Sequence, residues 1–86
     1  MPTISEFFGI FIMMYADEHD PPHFHARYQE YRISVDIRKG IVKGRFPPRH
    51  LRFVLEWLEL HRTELLADWE LLRAGQDAKP IAGLEE

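Results

Sequence analysis

Three of the chain's five histidines lie within seven residues, in the segment EHDPPHFHARY at residues 18–28. His23 and His25 are separated by one residue, and His19 stands on the other side of the Pro21-Pro22 pair. Imidazoles transfer protons near neutral pH and are common metal ligands. The segment therefore fits proton transfer or metal binding, against the alternative that these histidines are only polar side chains on a half-exposed strand.

A metal site in this chain must use nitrogen and oxygen ligands, because the sequence contains no cysteine. His19, His23 and His25 together with an aspartate are sufficient ligands for zinc. Nothing in the sequence fixes how these side chains converge, so a divalent metal such as zinc is an open alternative that the sequence does not require. No Gly-rich phosphate loop, nucleophile elbow or HExxH motif is present, which sets those chemistries aside.

Strand-type patterns occupy the first half of the chain, between about residues 9 and 46. They are a continuous apolar run from Gly9 to Tyr15, the alternating segments HFHARY and YRISVDI, and IVKGRF after Lys39-Gly40. These patterns predict three to four strands. The connections are too short for parallel crossovers, so we expect an antiparallel sheet.

A helical pattern follows at about residues 48–74, entered through proline and ended by Gly75. A straight helix of that length would measure roughly 40 Å, whereas a compact chain of this size has a radius of gyration of only about 12 Å. We therefore expect a kink or a break near His61–Thr63. The predicted fold class is α+β: one domain, residues 1–86, with the sheet covered on one face by one kinked or two short helices and followed by an extended tail at 76–86.

Two sets of apolar side chains are predicted on the helix. One stripe at helical spacing is expected to face the sheet; its members are Leu51, Val54, Leu55, Leu58, Leu65, Leu66, Trp69 and Leu72. Phe53, Trp57 and Leu60 point the other way. They either pack on the tail that contains Ile81 and Leu84 or form a surface for a partner protein.

A two-residue turn at Gln29-Glu30 would place His23 opposite Asp36, His25 opposite Ser34 and Arg27 opposite Arg32. Alternation then puts one apolar set on the helix side and both histidines on the other side; the apolar set is Phe24, Ala26, Tyr28, Tyr31, Ile33, Val35, Ile37, Val42 and Phe46. A three-residue loop would reverse the faces. Gln29-Glu30 lacks the Gly or Asn that two-residue turns favour.

A second two-residue turn at Lys39-Gly40 would pair Asp36 with Lys43 and Ser34 with Arg45. His23, His25 and Asp36, with Arg27 beside them, are then the predicted catalytic groups, in which Asp36 orients His23 and raises its basicity. Arg32, Lys43 and Arg45 on the same face are the predicted binding groups for a phosphate or another substrate. Whether the chain is an enzyme stays open.

The net charge of −3 conceals a basic middle, because residues 27–52 carry eight Lys and Arg side chains against two acids. This region fits a phosphate or an acidic partner, or only solvated strand edges and turns. The apolar run near the start is about half the ~20 residues needed to span a bilayer and lacks a basic n-region. We therefore expect a cytoplasmic protein without a membrane segment.

The segments MPTIS, GIFIMMY, EHDPPHFHARY, GRFPPRHLRFVLEWLELHRTELLADWE and PIAGL resemble the bacterial domain-of-unknown-function family 4160 over nearly the whole chain. PPHFHA is the most diagnostic piece, and the spacing of Trp57, His61, Leu65 and Trp69 is also similar. Two departures are Gln29-Glu30, where many relatives have a glycine, and Gly83, where a proline is usual.

The resemblance implies a partner and a broad role. Members of the family are often encoded beside a small protein of the domain-of-unknown-function family 2442, which suggests a type II toxin–antitoxin module with this family as the toxin. One hypothesis is a small His-dependent hydrolase or nuclease that attacks RNA or another phosphate-bearing target. The other is a non-catalytic module that binds a small partner protein or regulator through Phe53, Trp57 and Leu60. A homo-oligomer stays open.

Overall fold

The computed structural model describes residues 3–85 as a five-stranded antiparallel sheet followed by one helix. The elements are β1 (Thr3–Phe7), β2 (Ile10–Met13), β3 (His23–Tyr28), β4 (Tyr31–Asp36), β5 (Val42–Arg45) and α1 (Pro48–Arg73). The strands lie in the sheet in chain order. The α+β class is therefore confirmed, whereas the expected number of three to four strands is too low. None of these described elements is a helix long and apolar enough to cross a membrane.

The additional strand is β1, which begins well before residue 9. Phe7 pairs with Ile10, and Phe8 and Gly9 between them have φ angles of 52° and 76°. Positive φ at both central residues is the geometry of a tight hairpin turn whose twist matches that of its strands. Phenylalanine is unusual in such a turn, so the interpretation of the sequence, which began its first strand with the apolar run from Gly9 to Tyr15, predicted no strand before it.

The pairing of β3 with β4 agrees residue for residue with the two-residue turn at Gln29-Glu30. His23 lies opposite Asp36, His25 opposite Ser34, and Arg27 opposite Arg32. Gln29 adopts a left-handed conformation with φ of 54°, which the turn requires although glycine would adopt it at lower cost. The three-residue alternative is excluded, and the predicted alternation of faces holds for both strands.

The pairing of β4 with β5 is displaced by two residues from the expected one. Lys43 lies opposite Ser34, and Arg45 lies opposite Arg32. The connection is longer than a two-residue turn because Ile37 is fully buried and its N–H bonds to the Pro22 carbonyl. The turn between β4 and β5 is closed instead by a hydrogen bond from the Gly40 N–H to the Asp36 carbonyl.

A displacement by two residues keeps every side chain on its predicted face but moves it to the next row. Gly44 marks the new register, because its φ is 111° and a Cβ there would lie 2.5 Å from the Arg32 carbonyl oxygen. Only glycine allows the edge strand to approach β4 so closely.

The core lies between the sheet and α1. Phe24, Ala26, Ile33, Val35 and Ile37 of the predicted apolar set are buried there. From the helix, the fully buried side chains are Val54, Trp57, Leu58, Leu65 and Trp69. The expected stripe is therefore confirmed in part, with Leu51, Leu55, Leu66 and Leu72 only partly buried at its margins.

Trp57 is the main correction on the helix, because it does not point outward. Its side chain is fully buried, and the ring lies 5.4 Å from Phe7 and 5.6 Å from Phe24 between centroids. Its Nε1–H donates to the Ala82 carbonyl at 2.8 Å. The first of the two sequence alternatives, packing on the tail, is therefore correct for Trp57. The sequence could not reveal β1, which supplies Phe7.

The helix is kinked where the length argument requires it. His61 has φ of −123° and ψ of 21°, outside the helical range. The next residue, Arg62, donates from Nε to the Ile37 carbonyl at 2.8 Å and from its two terminal nitrogens to Glu59. This polar residue in the apolar stripe therefore caps the end of β4 and fixes the bend.

The tail runs back along β1. The Ile81 N–H donates to the Ile4 carbonyl at 2.8 Å. Asp68 on the helix accepts the Lys79 N–H at Oδ1 and is only 3% exposed. Burial raises the pKa of the Asp68 carboxyl above its ordinary value, against the effect of the Lys79 N–H. These contacts close the molecule over the second half of the helix.

Replacing Trp69 by alanine is expected to lower the free energy of unfolding by about 3 to 5 kcal/mol, as truncation of large buried aromatic rings does. The ring is 1% exposed. Urea denaturation measures the loss, and Leu60→Ala is the control, since Leu60 is 64% exposed and its truncation should cost less than about 0.5 kcal/mol. A loss under about 1 kcal/mol for Trp69→Ala contradicts its place in the core.

Candidate functional site

The sheet face opposite the helix carries the side chains that the sequence singled out. Strand alternation turns His25, Ser34 and Lys43 to this face in one cross-strand row. Arg27, Arg32 and Arg45 form the adjoining row, about 7 Å further along the strands. The expected rows of His23 with Lys43 and of His25 with Arg45 are replaced by these because β5 is displaced.

Glu18 lies between the two histidines. Its Oε1 is 2.6 Å from His25 Nε2 and 3.3 Å from His23 Nε2. The three side chains are half-buried, with 20 to 29% of their side-chain surfaces exposed. Glu18, His23 and His25 form the one group of potential metal ligands that the described chain brings together; we call these three residues the EHH cluster.

Asp36 does not orient His23, although the two residues are paired across the strands. Its Oδ1 accepts the Lys39 N–H at 2.8 Å, so the carboxylate closes the β4–β5 connection. The role that the sequence gave to Asp36 falls geometrically to Glu18, which comes from the loop between β2 and β3. That loop has no periodic pattern, and this is why sequence reasoning missed Glu18.

His19 does not join the other two histidines, contrary to the predicted ligand set of His19, His23 and His25. It is exposed and stands on the wall of the neighbouring cavity, outside the group of ligand atoms. Its neighbour Glu18 takes the position instead, so the metal-type cluster contains two imidazoles and one carboxylate.

The loop that carries Glu18 is attached to the far end of the helix. Trp69 donates from Nε1 to Asp20 Oδ1 at 3.2 Å, and Arg73 donates from Nη1 to the Glu18 carbonyl at 2.7 Å. These two hydrogen bonds connect residues that are about 50 positions apart in the sequence. The helix after the kink therefore positions the loop, and with it the carboxylate of the EHH cluster.

Aromatic contacts hold the two imidazoles. The His23 ring is 5.3 Å from Trp69 and 5.2 Å from the His25 ring, and Tyr15 lies edge-on to His25 at 5.3 Å. His23 Nδ1 is 2.9 Å from the Pro21 carbonyl oxygen. A carbonyl only accepts hydrogen bonds, so Nδ1 of His23 carries a proton and its Nε2 is the atom turned to Glu18.

An open cavity of about 680 Å³ adjoins the EHH cluster. Its wall includes Glu18 and His23, and also the basic residues Lys39 and Lys43. Three further acidic residues line it: Asp17, Asp20 and Asp36. The cavity is wide enough for a small polar ligand or for part of a polymer. Acidic groups outnumber basic ones on its wall, so the cavity itself favours cations.

Three arginines form a basic row on this face of the sheet. Arg27, Arg32 and Arg45 are directly opposed across three strands, and no carboxylate in residues 3–85 forms an ion pair with them. Like charges in such positions destabilise a sheet. Arg27 lies over the Phe11 ring at 5.1 Å, which gives the face an aromatic platform beside its positive charge.

The predicted partner surface is changed by the burial of Trp57. Phe53 is half-buried and stacks on Phe8 at 4.4 Å, whereas Leu60 is 64% exposed. Phe53, Leu60 and Leu84 line one side groove together. A partner would therefore meet Leu60 and the edge of Phe53, and Trp57 only supports them from below.

In comparison with protein families, residues 9–70 match the family described as Domain of unknown function (DUF4160). The match covers more than half of the chain and includes both histidines of the EHH cluster and Glu18. The chain belongs to the DUF4160 family. Comparisons with curated proteins and with solved structures gave no match.

The geometry predicts different neutral tautomers for the two histidines. His23 should carry its proton on Nδ1, because of the Pro21 carbonyl, and His25 should carry its proton on Nε2, because of the Glu18 carboxylate. Long-range ¹H–¹⁵N correlation spectra at alkaline pH measure both. The exposed His19 is the internal control and should show the ordinary mixture. A proton on Nε2 of His23 contradicts the described site.

Proposed function

We propose that this member of the DUF4160 family is the toxin component of a two-gene toxin–antitoxin module and that it cleaves single-stranded RNA on its sheet face. The observation that carries the chemistry is the EHH cluster, which lies one row from three arginines that form no ion pair within residues 3–85. Proton-transfer groups beside fixed positive charge are what cleavage of a phosphodiester requires. RNA and a partner protein would both be met in the cytoplasm.

The arginine row supports the binding of a phosphate chain. Guanidinium groups bind phosphate in a bidentate manner, and adjacent strands about 4.8 Å apart would set three of them across the path of a polymer. Phe11 and Tyr15 on the same side offer rings on which bases stack, as in proteins that bind single strands. The arginine row is positive, although the net charge of the whole chain is −3. Because RNA would be held mainly by contacts between these arginines and phosphates, the affinity should fall strongly as the salt concentration rises.

The two histidines are anchored through different ring nitrogens, which suits one of them to act as the base and the other as the acid. His25 is bonded to Glu18 through Nε2, so its Nδ1 is available as the base and Glu18 stabilises the charge that the ring gains. His23 is anchored through Nδ1, so only its protonated, cationic form carries a second proton on Nε2, and that proton is the one the ring gives to the leaving group. This pairing of an oriented base with a second imidazole is a common arrangement for proton transfer.

The reaction needs neither water nor a metal in its first step. His25 removes the proton of a ribose 2′-hydroxyl, and the 2′-oxygen forms a bond to the adjacent phosphorus. The bond from phosphorus to the 5′-oxygen breaks, and His23 donates its Nε2 proton to that oxygen. The products are a 2′,3′-cyclic phosphate and a 5′-hydroxyl, and the two imidazoles return to their starting states by exchange with solvent.

Purified chain should cleave a labelled single-stranded RNA and leave a cyclic phosphate end. His25→Ala and His23→Ala should each lower the rate by about 100-fold or more, the usual loss for a general acid or base, with binding nearly unchanged. Arg32→Gln with Arg45→Gln should instead weaken RNA binding. The slope of the logarithm of the binding constant against the logarithm of the salt concentration should also become less steep, by the amount that two phosphate contacts contribute. Gel analysis and filter binding at two salt concentrations measure both effects.

Arg38→Gln with Arg52→Gln is the charge-matched control, since both arginines are exposed and lie outside the arginine row, Arg38 in the β4–β5 connection and Arg52 on the helix. That variant should behave as the parent does. Expression of each variant in growing cells tests the toxin role in parallel. If the parent neither cleaves RNA nor slows growth, or if the two histidine variants are as active as the parent, the proposal is wrong.

A non-catalytic role is the second candidate, and the exposure of Leu60 favours it. An apolar side chain that is 64% exposed beside a groove with Phe53 and Leu84 is a suitable contact for a partner protein. The partner we propose is a small antitoxin of the DUF2442 type. In this case the chain acts by occupying that partner or another regulator.

Leu60→Glu should abolish co-purification with the neighbouring gene product, because a charge would be buried against the partner. The fold should survive, since the side chain makes little contact with the core. Glu56→Lys, on the wall of the same groove, is the control for charge alone. Unchanged binding by Leu60→Glu would remove this surface from consideration.

A further inference from the structure

We propose that Glu18, His23 and His25 form a binding site for a divalent transition-metal ion of the zinc type. Each of the three side chains offers one ligand atom, and these atoms lie within 4.8 Å of one another. Two imidazoles and one carboxylate are a set that zinc accepts in proteins, with a fourth position left for water or another ligand. The proposal concerns binding alone and goes beyond the proposed function without resting on it.

One of the separations between ligand atoms already matches that of a tetrahedral ion. With bonds of about 2.1 Å, two ligands of such an ion lie about 3.4 Å apart. The distance from His23 Nε2 to Glu18 Oε1 is 3.3 Å. The distance from His25 Nε2 to the same oxygen is 2.6 Å, a hydrogen bond that would open by roughly 0.8 Å around an ion with the bond lengths given above.

The environment of His23 argues for a cation between these groups. Its Nδ1 donates to the Pro21 carbonyl, so the neutral ring turns a lone pair on Nε2 toward the Glu18 carboxylate at 3.3 Å. Two acceptors that face each other at this distance are unfavourable unless a proton or a metal ion lies between them. A metal ion would satisfy both at once.

The same hydrogen bond is the one that metal-binding histidines usually make. In metal sites the ring nitrogen that does not bind the ion donates to a carboxylate or a backbone carbonyl, which fixes the orientation of the ring. For His23, the Pro21 carbonyl accepts this hydrogen bond from Nδ1. Trp69 and Tyr15 pack against the two imidazoles, so little further ordering would be needed when an ion binds.

The surrounding charges also favour a cation. Asp17, Asp20 and Asp36 lie on the wall of the adjoining cavity, against Lys39 and Lys43. Asp20 and Asp36 are already hydrogen-bonded to Trp69 and to the Lys39 N–H, so they would act through their charge and not as ligands. A bound ion would take up the Nε2 that His23 needs as an acid, so zinc would inhibit the proposed cleavage.

The test is calorimetric titration of the tag-free, metal-stripped chain with zinc chloride, without RNA, supported by the absorption spectrum of the cobalt form. We expect one ion per chain and a spectrum of tetrahedral cobalt. Glu18→Gln, His23→Ala and His25→Ala should each lower the affinity by about tenfold or more, since removal of supporting groups alone costs about 10- to 100-fold in metal sites. Circular dichroism confirms that each variant is folded.

His19→Ala is the matched control, because His19 is a neighbouring histidine outside the cluster; its affinity should stay within about threefold of the parent, well below the tenfold effect of a lost ligand or supporting group. Zinc that binds the Glu18→Gln, His25→Ala double variant as tightly as the parent would overturn the proposal. So would a loss in His19→Ala equal to that in Glu18→Gln. Neither result bears on RNA cleavage, which is measured separately in the presence of EDTA.

Discussion

The antiparallel pairing of β3 with β4 is the constraint on which the remaining structure depends. Because side chains alternate along a strand, a slip of one residue in this pairing would turn both histidines into the core and Phe24 and Ala26 to solvent. The two-residue turn at Gln29 prevents that slip, at the cost of a left-handed conformation in a residue with a side chain. The register places the core on one face and the polar rows on the other.

The periodic patterns of the sequence predicted those features of the fold that depend on alternation, spacing and length. The face of His23 and His25, their partners across the strands, the helix and its kink all follow from alternation, spacing and length. The displacement of β5 does not, since it depends on the burial of Ile37 under the helix and on its bond to Pro22. Trp57 was placed outside for a similar reason: its aromatic neighbour Phe7 belongs to a strand hidden by a turn with no glycine at its first central position.

Glu18 was missed because a loop has no repeating pattern from which the direction of a side chain follows. Its place is decided by contacts distant in sequence, those of Trp69 with Asp20 and of Arg73 with the Glu18 carbonyl. The kink at His61 turns the second half of the helix toward this loop. The arrangement of the EHH cluster is therefore a property of the tertiary structure, although all three of its residues lie within eight positions of the sequence.

The charges on this face are divided between the loop and the strands. The loop and the cavity wall are acidic, whereas the adjoining row of the sheet holds three arginines with no acidic partner in the described part of the chain. Since directly opposed arginines weaken a sheet, this row does not contribute to the stability of the fold. A phosphate chain on the arginines would bring its neighbouring atoms to the EHH cluster, one row away. The acidic loop would meanwhile exclude that chain from the cavity unless a cation or a proton first neutralised Glu18.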